Sequence, residues 1–254
     1  METLFIGKNL LFLHEVESTN TYAMNLLRNV NAIEGTVVYT DNQTKGKGQR
    51  GSTWGSEIGQ NITASVILKP HFLSIDKTFY LSKISALAVY DVLAEILSSS
   101  QYDIKIKWPN DILVNKGKIA GILIENNFNH TSIQHSILGI GLNVNQLKFG
   151  EFERIATSLK LLTNKDYSRT DVLELLCSKL EKWYLRLKEQ KEKEIDEAYL
   201  SQLFGLNVTL FFVDSVGLEF KGRALGVTQR GKLLIELDSK VIREFDIKEV
   251  KFVL

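Results

Sequence analysis

Apolar positions along the chain fall into two kinds of pattern. Short apolar or alternating runs of strand length occur at residues 10–16, 35–40, 62–68, 104–108, 112–114, 119–125 and 137–144. Residues 76–97 and 168–188 instead repeat apolar side chains every three or four positions, which is the spacing of an amphipathic helix. The same spacing after residues 18–20 predicts another helix that begins there. This order predicts an α+β fold in which helices cover a sheet.

The character of the chain changes at Gly205. Four short apolar runs follow, at residues 208–213, 218–224, 232–237 and 241–245, with turn-forming residues between them. Short and evenly spaced strands are typical of a small antiparallel barrel. We therefore predict two domains, residues 1–204 and residues 205–254.

Charge and cysteine content narrow the class of protein. The 254 residues include 31 Lys+Arg and 30 Asp+Glu, a formal charge of +1, so DNA binding is not expected. The single cysteine, Cys177, excludes an internal disulfide framework and lies in a helical pattern, which predicts a core thiol rather than a nucleophile. No apolar run reaches about 18 residues and no signal-peptide pattern opens the chain, so we expect a cytoplasmic protein that does not bind membranes.

The most unusual stretch is residues 43–54, in which glycines alternate with cations before a tryptophan: Gly46, Gly48 and Gly51 with Lys45, Lys47 and Arg50, then Trp54. Glycine allows the backbone to approach a ligand, and successive exposed amides can bind an anion. Lysine and arginine add donors for phosphate or carboxylate. A solvated flexible loop is the alternative, and composition alone leaves both open.

Two nucleotide-binding motifs can be tested against this stretch. Gly46, Gly48 and Gly51 match the dinucleotide fingerprint, but that motif requires a helix directly afterwards. Here the next element is the predicted strand at residues 62–68. A Walker A loop is excluded because no Gly-Lys-Ser/Thr ends the run. The stretch is therefore predicted to be a basic glycine loop between two strands.

Further candidate residues lie at predicted strand and helix ends. Ser18, Thr19 and Asn20 either cap the first helix or bind a small polar group beside its free amides. The glycines Gly139 and Gly141 interrupt an apolar strand and mark either close approach of a ligand or a β-bulge. Side-chain alternation places Asn143 on their face. The turn at residues 107–111, with Lys118, gathers charged and amide groups beside apolar strands.

Five segments, taken in order, resemble the motifs of biotin–protein ligases. They are Ser18-Thr19-Asn20, Gln43-Thr44-x-Gly46-Lys47-Gly48-x-Arg50-Gly51-x-x-Trp54, Lys107-Trp108-Pro109-Asn110-Asp111, Lys118-x-Ala120-Gly121-Ile122-Leu123-x-Glu125 and Gly139-x-Gly141-x-Asn143. The resemblance extends from about residue 16 to the C-terminus and is strongest through Asn143.

The resemblance implies a fold and a reaction. The fold is a mixed-sheet catalytic domain like that of class II synthetases, shared with lipoate ligases, followed by an SH3-like barrel. Biotin and ATP would give biotinyl-5′-AMP and pyrophosphate, and a lysine of a biotin carboxyl carrier protein would then take the biotinyl group. Bringing a carboxylate to a phosphate requires cations, a task that Mg²⁺ normally shares. No covalent enzyme nucleophile is needed.

The resemblance also implies residue roles. Lys118 and Lys47 would be catalytic cations, and Asp111 would bind the metal or activate the carrier lysine. The biotin site would comprise Ser18, Thr19, Asn20, Gln43, Gly46, Lys47, Gly48, Arg50, Lys118, Gly121, Gly139 and Gly141. The ATP site would comprise Arg50, Trp54, Asn110 and Asn143.

The chain departs from the family pattern in its loop. Family loops often carry arginine where this chain has Lys47, Gln49 and Ser52, so looser retention of biotinyl-AMP is expected. Only 17 residues precede Ser18, which predicts a form without the N-terminal DNA-binding domain of some relatives. Both a monomer and a homodimer are compatible with the sequence.

Two other functions account for part of this pattern. A lipoate–protein ligase or octanoyltransferase shares the fold, but its ligand has no ureido ring for residues 18–20 and Gln43 to bind. A non-catalytic ligand-binding module would need neither Lys118 nor Asp111. The biotin ligase is therefore the preferred interpretation.

Overall fold

The structure is a computed structural model that describes residues 2–30, 32–97, 101–129, 132–150 and 155–253, with only the backbone of Arg50. No helix within these ranges is both long enough and apolar enough to cross a membrane. Two sheets and five α-helices account for most of the described chain.

A seven-stranded mixed sheet forms the larger part of the molecule, in the order β1-β2-β3-β7-β6-β5-β4. Only β1 and β2 are parallel, and the other neighbours are antiparallel. The strands are β1 (Leu10–Val16), β2 (Val37–Gln43), β3 (Ile62–Leu68), β4 (Ile104–Lys107), β5 (Asp111–Val114), β6 (Gly117–Phe128) and β7 (Ile133–Leu142).

Helices cover both faces of this sheet. They are α1 (Thr19–Asn29), α2 (Phe79–Ile96), α3 (Leu159–Thr163), α4 (Arg169–Lys188) and α5 (Glu192–Ser201). The main core packs α2 and α4 on one face, and a smaller cluster around Ala23 packs α1 on the other. Every residue of β3 is buried because both of its faces are covered, which explains its unbroken apolar run. Since α1 is short, part of its face of the sheet is left open.

The C-terminal part is a five-stranded antiparallel sheet in the order β11-β10-β9-β8-β12, consistent with an SH3-like domain. Its strands are β8 (Thr209–Asp214), β9 (Glu219–Val227), β10 (Leu233–Leu237), β11 (Ile242–Phe245) and β12 (Val250–Phe252). The predicted α+β class and the four-strand pattern are confirmed. The sequence pattern missed β12 and α3, which are too short to show a period.

Hydrogen bonds join the large sheet to the segment that follows α5 and to the turn before β10. Ile106 donates its N–H to the carbonyl of Gln202, and Phe204 donates back to Ile106, both at 2.8 Å. The buried Trp108 donates from Nε1 to the carbonyl of Gly231 at 2.9 Å. The domain boundary at Gly205 stays a prediction, and the hydrogen bond from Trp108 to Gly231 crosses it.

Gly231, in the turn before β10, packs directly against the start of α2. Its φ is +88°, in the left-handed region that favours glycine, and an added Cβ would lie 2.4 Å from Cδ2 of Phe79. Gly217 has nearly the same φ, +87°, but a Cβ there would meet nothing within 4 Å. Alanine substitutions at Gly217 and Gly231 therefore separate the energetic cost of backbone strain from the cost of a steric clash.

We expect Gly217→Ala to lower the free energy of unfolding by about 1 kcal/mol, because alanine is strained at positive φ. Gly231→Ala should cost about 1–3 kcal/mol more, because its methyl group must displace Phe79. Urea unfolding of both variants and the parent measures the difference. Equal losses would show that the contact with Phe79 contributes nothing to stability.

Candidate active site

A cavity of about 650 Å³ opens on the face of the large sheet that α1 covers only in part. Its walls come from the start of α1, the glycine loop, β6, β7, the turn before β5 and the C-terminal strand. The site residues predicted from the sequence that line it are Ser18, Thr19, Asn20, Gln43, Lys47, Gly48, Trp54, Asn110, Asp111, Lys118, Gly121, Gly139, Gly141 and Asn143. The fold thus brings together segments that are more than 100 residues apart.

The floor of the cavity is bare strand backbone. A Cβ at Gly139 would lie 2.3 Å from Oδ1 of Asn20, and one at Gly141 would lie 2.3 Å from Cε2 of Trp54. The pairing of β7 with β3 is regular through both glycines, so the β-bulge interpretation is wrong. These glycines are required because side chains from α1 and the loop lie directly on the strand.

The polar cluster at the start of α1 faces the cavity rather than capping the helix. Ser18 occupies the N-cap position, but its side chain makes no capping hydrogen bond within the described chain. Thr19 donates its backbone N–H to Oε1 of Gln43 at 2.8 Å, and Asn20 donates from Nδ2 to Glu125 at 2.8 Å. The capping interpretation is therefore wrong for these side chains, and all three are buried in the cavity wall.

The glycine loop is a small hairpin. Trp54 donates its N–H to the carbonyl of Gly46 at 3.0 Å, and Gly48 donates to Ser52 at 2.8 Å. Cβ atoms at Gly46 and Gly48 would lie 2.2 and 2.4 Å from atoms of Trp54 and Ser52. These two glycines let the sides of the loop approach each other, whereas Gly51 is the glycine of this loop with a positive φ, +88°.

The cations of the loop point in different directions. Lys47 lines the cavity, whereas Lys45 pairs with Glu17 outside it at 2.6 Å and lowers the pKa of that carboxyl through this hydrogen bond and its charge. The Arg50 side chain lies outside the described part of the structure. Gly46 does not face the cavity in the ranges that the structure describes. Lys47 is thus the loop cation that the geometry places at the site.

Lys118 is a further cation of the cavity wall and lies on β6. Lys118 Nζ lies 2.7 Å from Oδ1 of Asp111 on the neighbouring strand and 5.7 Å from the centre of the Trp54 ring. Asp111 is buried, and the Lys118 side chain is 31% exposed toward the cavity. The pair holds an ammonium in the cavity wall, where an anion can reach it.

The side-chain amides of Asn110 and Asn143, both in the predicted ATP site, differ in their hydrogen bonding. Asn110 donates from Nδ2 to the carbonyl of Ile122 at 3.0 Å. Asn143 donates from Nδ2 to Thr157 at 2.9 Å, while its buried Oδ1 has no hydrogen-bond partner among the described residues. An unsatisfied buried acceptor in a cavity wall calls for a ligand donor.

Comparison with known proteins shows which family has this arrangement of glycine loop, lysines and amides. A family model described as the Biotin/lipoate A/B protein ligase family matches residues 12–143, more than half of the chain. The chain belongs to this family. The match spans the loop, both cations and the two β7 glycines, which are the parts that build the cavity.

One relative of this chain is the bifunctional ligase/repressor BirA of Bacillus spizizenii. The two are 34% identical over 239 residues, which are 93% of this chain and 72% of that protein. The biotin–[acetyl-CoA-carboxylase] ligase of Paracoccus denitrificans is 30% identical over 194 residues, 75% of this chain and 79% of that one. The solved biotin protein ligase from Aquifex aeolicus in complex with biotin and ATP is 29% identical, with a TM-score of 0.79 over 97% of this chain and 99% of that chain. The resemblance to biotin–protein ligases is confirmed.

Sequence reasoning missed part of the wall of this family member's cavity. Ile247, Lys248, Val250, Lys251 and Phe252 line it from the C-terminal sheet. Phe252 also contacts the buried Lys107, whose Nζ lies 5.1 Å from its ring centre. No local motif distinguishes these residues, because only the packing of the second sheet brings them to the site.

Cys177 does not line the cavity. Cys177 is 1% exposed inside α4, and burial raises the pKa of its thiol to about 12. A neutral, buried thiol is a poor nucleophile. The prediction of a core thiol is confirmed.

The contact between Gly141 and Trp54 can be tested by fluorescence. Trp54 is the partly exposed tryptophan, because Trp108 and Trp183 are 2% and 8% exposed. A methyl group in Gly141→Ala must push the indole off the strand, so we expect stronger quenching by iodide. The same substitution in a Trp54→Phe background is the control and should change nothing. Unchanged quenching in the single variant would show that the indole does not rest on Gly141.

Proposed function

We propose that this chain is a biotin–protein ligase. It activates biotin with ATP to biotinyl-5′-AMP and pyrophosphate, and it transfers biotin to a lysine of a biotin carboxyl carrier protein domain. The observation that carries the proposal is a cavity that brings together a neutral polar cluster, the lysines Lys47 and Lys118, and an unsatisfied amide. The relatives named as ligases and the neighbour in complex with biotin and ATP support it.

The end of the cavity at α1 suits the ring of biotin. Ser18, Thr19, Asn20 and Gln43 supply neutral donors and acceptors there, and Leu123 and Ile140 supply apolar surface beside them. A cyclic urea needs several hydrogen bonds once it is buried. The dithiolane or aliphatic end of lipoate or octanoate would leave these groups unpaired, and unpaired buried groups reject such ligands strongly.

The two lysines provide the chemistry of the first step. The biotin carboxylate attacks the α-phosphate of ATP, the new C–O–P bond forms, and the bond to pyrophosphate breaks. Negative charge concentrates where the two anions meet, and preorganised cations stabilise it. Lys118 and Lys47 are proposed for this role because both face the cavity and Asp111 holds Lys118 in place.

The nucleotide end is proposed to lie near Trp54 and Asn143. The exocyclic amino group of adenine is a hydrogen-bond donor, and the partnerless Oδ1 of Asn143 is a matching acceptor. Trp54 offers an aromatic face beside it. Arg50 and Asn110 complete the site implied by the family.

Asp111 is proposed to serve a metal ion or the carrier lysine. The described residues hold no cluster of three acidic, histidine or cysteine ligands. One carboxylate fits Mg²⁺, which binds mainly to phosphate oxygens and water and needs few protein ligands. Mg²⁺ would neutralise charge on the phosphates when bound. In the transfer step, Asp111 would instead accept a proton from the lysine ammonium.

The test of the function is ATP–pyrophosphate exchange with biotin and lipoate side by side. We expect Mg²⁺-dependent exchange with biotin and little with lipoate. Transfer to a biotin carboxyl carrier protein domain should follow when that domain is added. Exchange with lipoate but not with biotin would assign the chain to the lipoate branch of the family.

Lys118→Ala should lower the exchange rate by about a hundredfold or more, because the ammonium acts where charge develops in the transition state. Biotin binding measured by calorimetry should change little. The matched control is Lys45→Ala, which removes a loop cation that points away from the cavity. Loss of biotin affinity in parallel with rate would place Lys118 in ground-state recognition.

The loop is expected to gain protection when ligand binds. Its glycines make it costly to order, and its cations repel one another until an anion arrives. Limited proteolysis at residues 43–54 should therefore slow with biotin, and Lys47→Ala should weaken the effect. Equal cleavage in both states would show a preformed loop.

Gln49→Arg restores a cation that family loops often carry. We expect it to slow release of biotinyl-AMP by at most about tenfold, the effect of one charge-assisted contact of about 1.4 kcal/mol. Off-rates of the adenylate from the parent and the variant measure this. A faster release would contradict the assumption that the neutral Gln49 loosens the loop.

A further inference from the structure

The amide of Asn20 is held at both ends by hydrogen bonds within the protein. Its Nδ2 donates to Oε2 of Glu125 at 2.8 Å and to the carbonyl of Leu123 at 3.3 Å. Its Oδ1 lies 2.6 Å from the hydroxyl oxygen of Ser65, which also lies 2.7 Å from Oγ1 of Thr19. A carbonyl and a carboxylate accept but do not donate, so the nitrogen must face Glu125 and the oxygen must face Ser65.

The oxygen of Asn20 is the end that remains available to a ligand. Both protons of Nδ2 are already engaged, whereas Oδ1 has a second lone pair. Oδ1 also lies over the backbone of Gly139, where a Cβ would be 2.3 Å away, and both residues line the cavity. Asn20 therefore presents an acceptor to whatever binds there.

Gln43 is oriented in the opposite sense. Its Oε1 accepts the backbone N–H of Thr19 at 2.8 Å and lies 3.1 Å from the Thr19 hydroxyl. A backbone N–H can only donate, so the oxygen is fixed and Nε2 is the end left for the cavity. One wall thus offers an acceptor and its neighbour a donor, which matches the N–H and C=O of a cyclic urea.

From this we infer that Glu125 and Ser65 are positioning residues for recognition of the ureido ring, and that they act by fixing the orientation of the Asn20 amide. The inference rests on the proposed biotin ligase function. Neither residue lines the cavity in the described structure. Ser65 is fully buried, and its hydroxyl can accept as well as donate, so it would also tolerate a flipped amide. Glu125 supplies the discrimination, because a carboxylate would repel the Asn20 oxygen.

The chain offers a matched control for this hydrogen bond. On the same sheet, Asn42 donates from Nδ2 to Oε2 of Glu15 at 2.7 Å, an exposed pair that does not line the cavity. Glu15→Ala removes the same kind of interaction as Glu125→Ala, but away from the site. Glu125→Gln is the conservative variant. Its amide oxygen can still accept from Asn20, and the carbonyl of Leu123, which only accepts, still favours the same orientation of the Asn20 amide.

The experiment measures kcat and KM for biotin and for ATP in pyrophosphate exchange. Glu125→Ala should raise the KM for biotin about tenfold, the effect of losing one hydrogen bond to a charged group, and should leave the KM for ATP within about twofold. Glu125→Gln should recover most of the loss, and Glu15→Ala should match the parent. If Glu125→Ala folds poorly, Ser65→Ala is the second variant. It should raise the KM for biotin about threefold, because it removes the contacts with Asn20 Oδ1 and with Thr19 Oγ1.

A binding measurement separates positioning from a general structural role. In calorimetry, Glu125→Ala should weaken the binding of biotin about tenfold but leave the binding of ATP within about twofold. The inference is overturned by an equal rise in both KM values, by an equal loss of ATP binding, by a glutamine variant as poor as alanine, or by a loss in Glu15→Ala. If the parent itself fails to exchange with biotin, the proposed function fails first, and the inference fails with it.

Discussion

The side chains of Asn20 and Trp54 lie directly against bare backbone on β7, and the site depends on that contact. It is possible only because Gly139 and Gly141 have no Cβ, since one at either position would lie 2.3 Å from the side chain above it. A strand interior normally avoids glycine because it packs nothing and loses entropy. Here the missing volume is filled by an amide from α1 and an indole from the loop. The sheet thus serves as a floor on which two otherwise separate segments meet.

Charge is distributed on that floor according to the needs of the reaction. The end beneath α1 is neutral, with hydroxyl and amide groups joined in a hydrogen-bonded network that extends to Ser65 and Glu125. The centre carries Lys118, held by Asp111 at 2.7 Å. The biotin carboxylate and the α-phosphate would meet between the neutral end of the cavity and the Trp54 ring. Lys118 would then lie where negative charge develops in the reaction. The second sheet closes the remaining side through residues 247–252.

Several strands and helices could be predicted from the local sequence, because their buried faces require apolar residues at regular spacing. The bounds of β1 and β3 were predicted correctly, and Ser168 accepts a hydrogen bond from Asp171 N at the start of α4, as a capping residue does. Other local interpretations failed. Residues 18–20 look like a helix cap and instead face a ligand cavity, since hydroxyl and amide groups suit both uses. The segments α3 and β12 have only 5 and 3 residues, too few to express a period.

The sequence by itself determined the motif segments, their order and the family, because residue type and spacing carry that information. It also determined which groups were available as cations, amides and glycines. Only the tertiary structure decided how they are used. Lys45 and Lys47 are two residues apart, yet one pairs with Glu17 and the other faces the cavity. Likewise, the orientation of the Asn20 amide is set by Ser65 and Glu125, 45 and 105 residues away. Hydrogen-bond partners at such separation are chosen by strand register and packing, which no local pattern encodes.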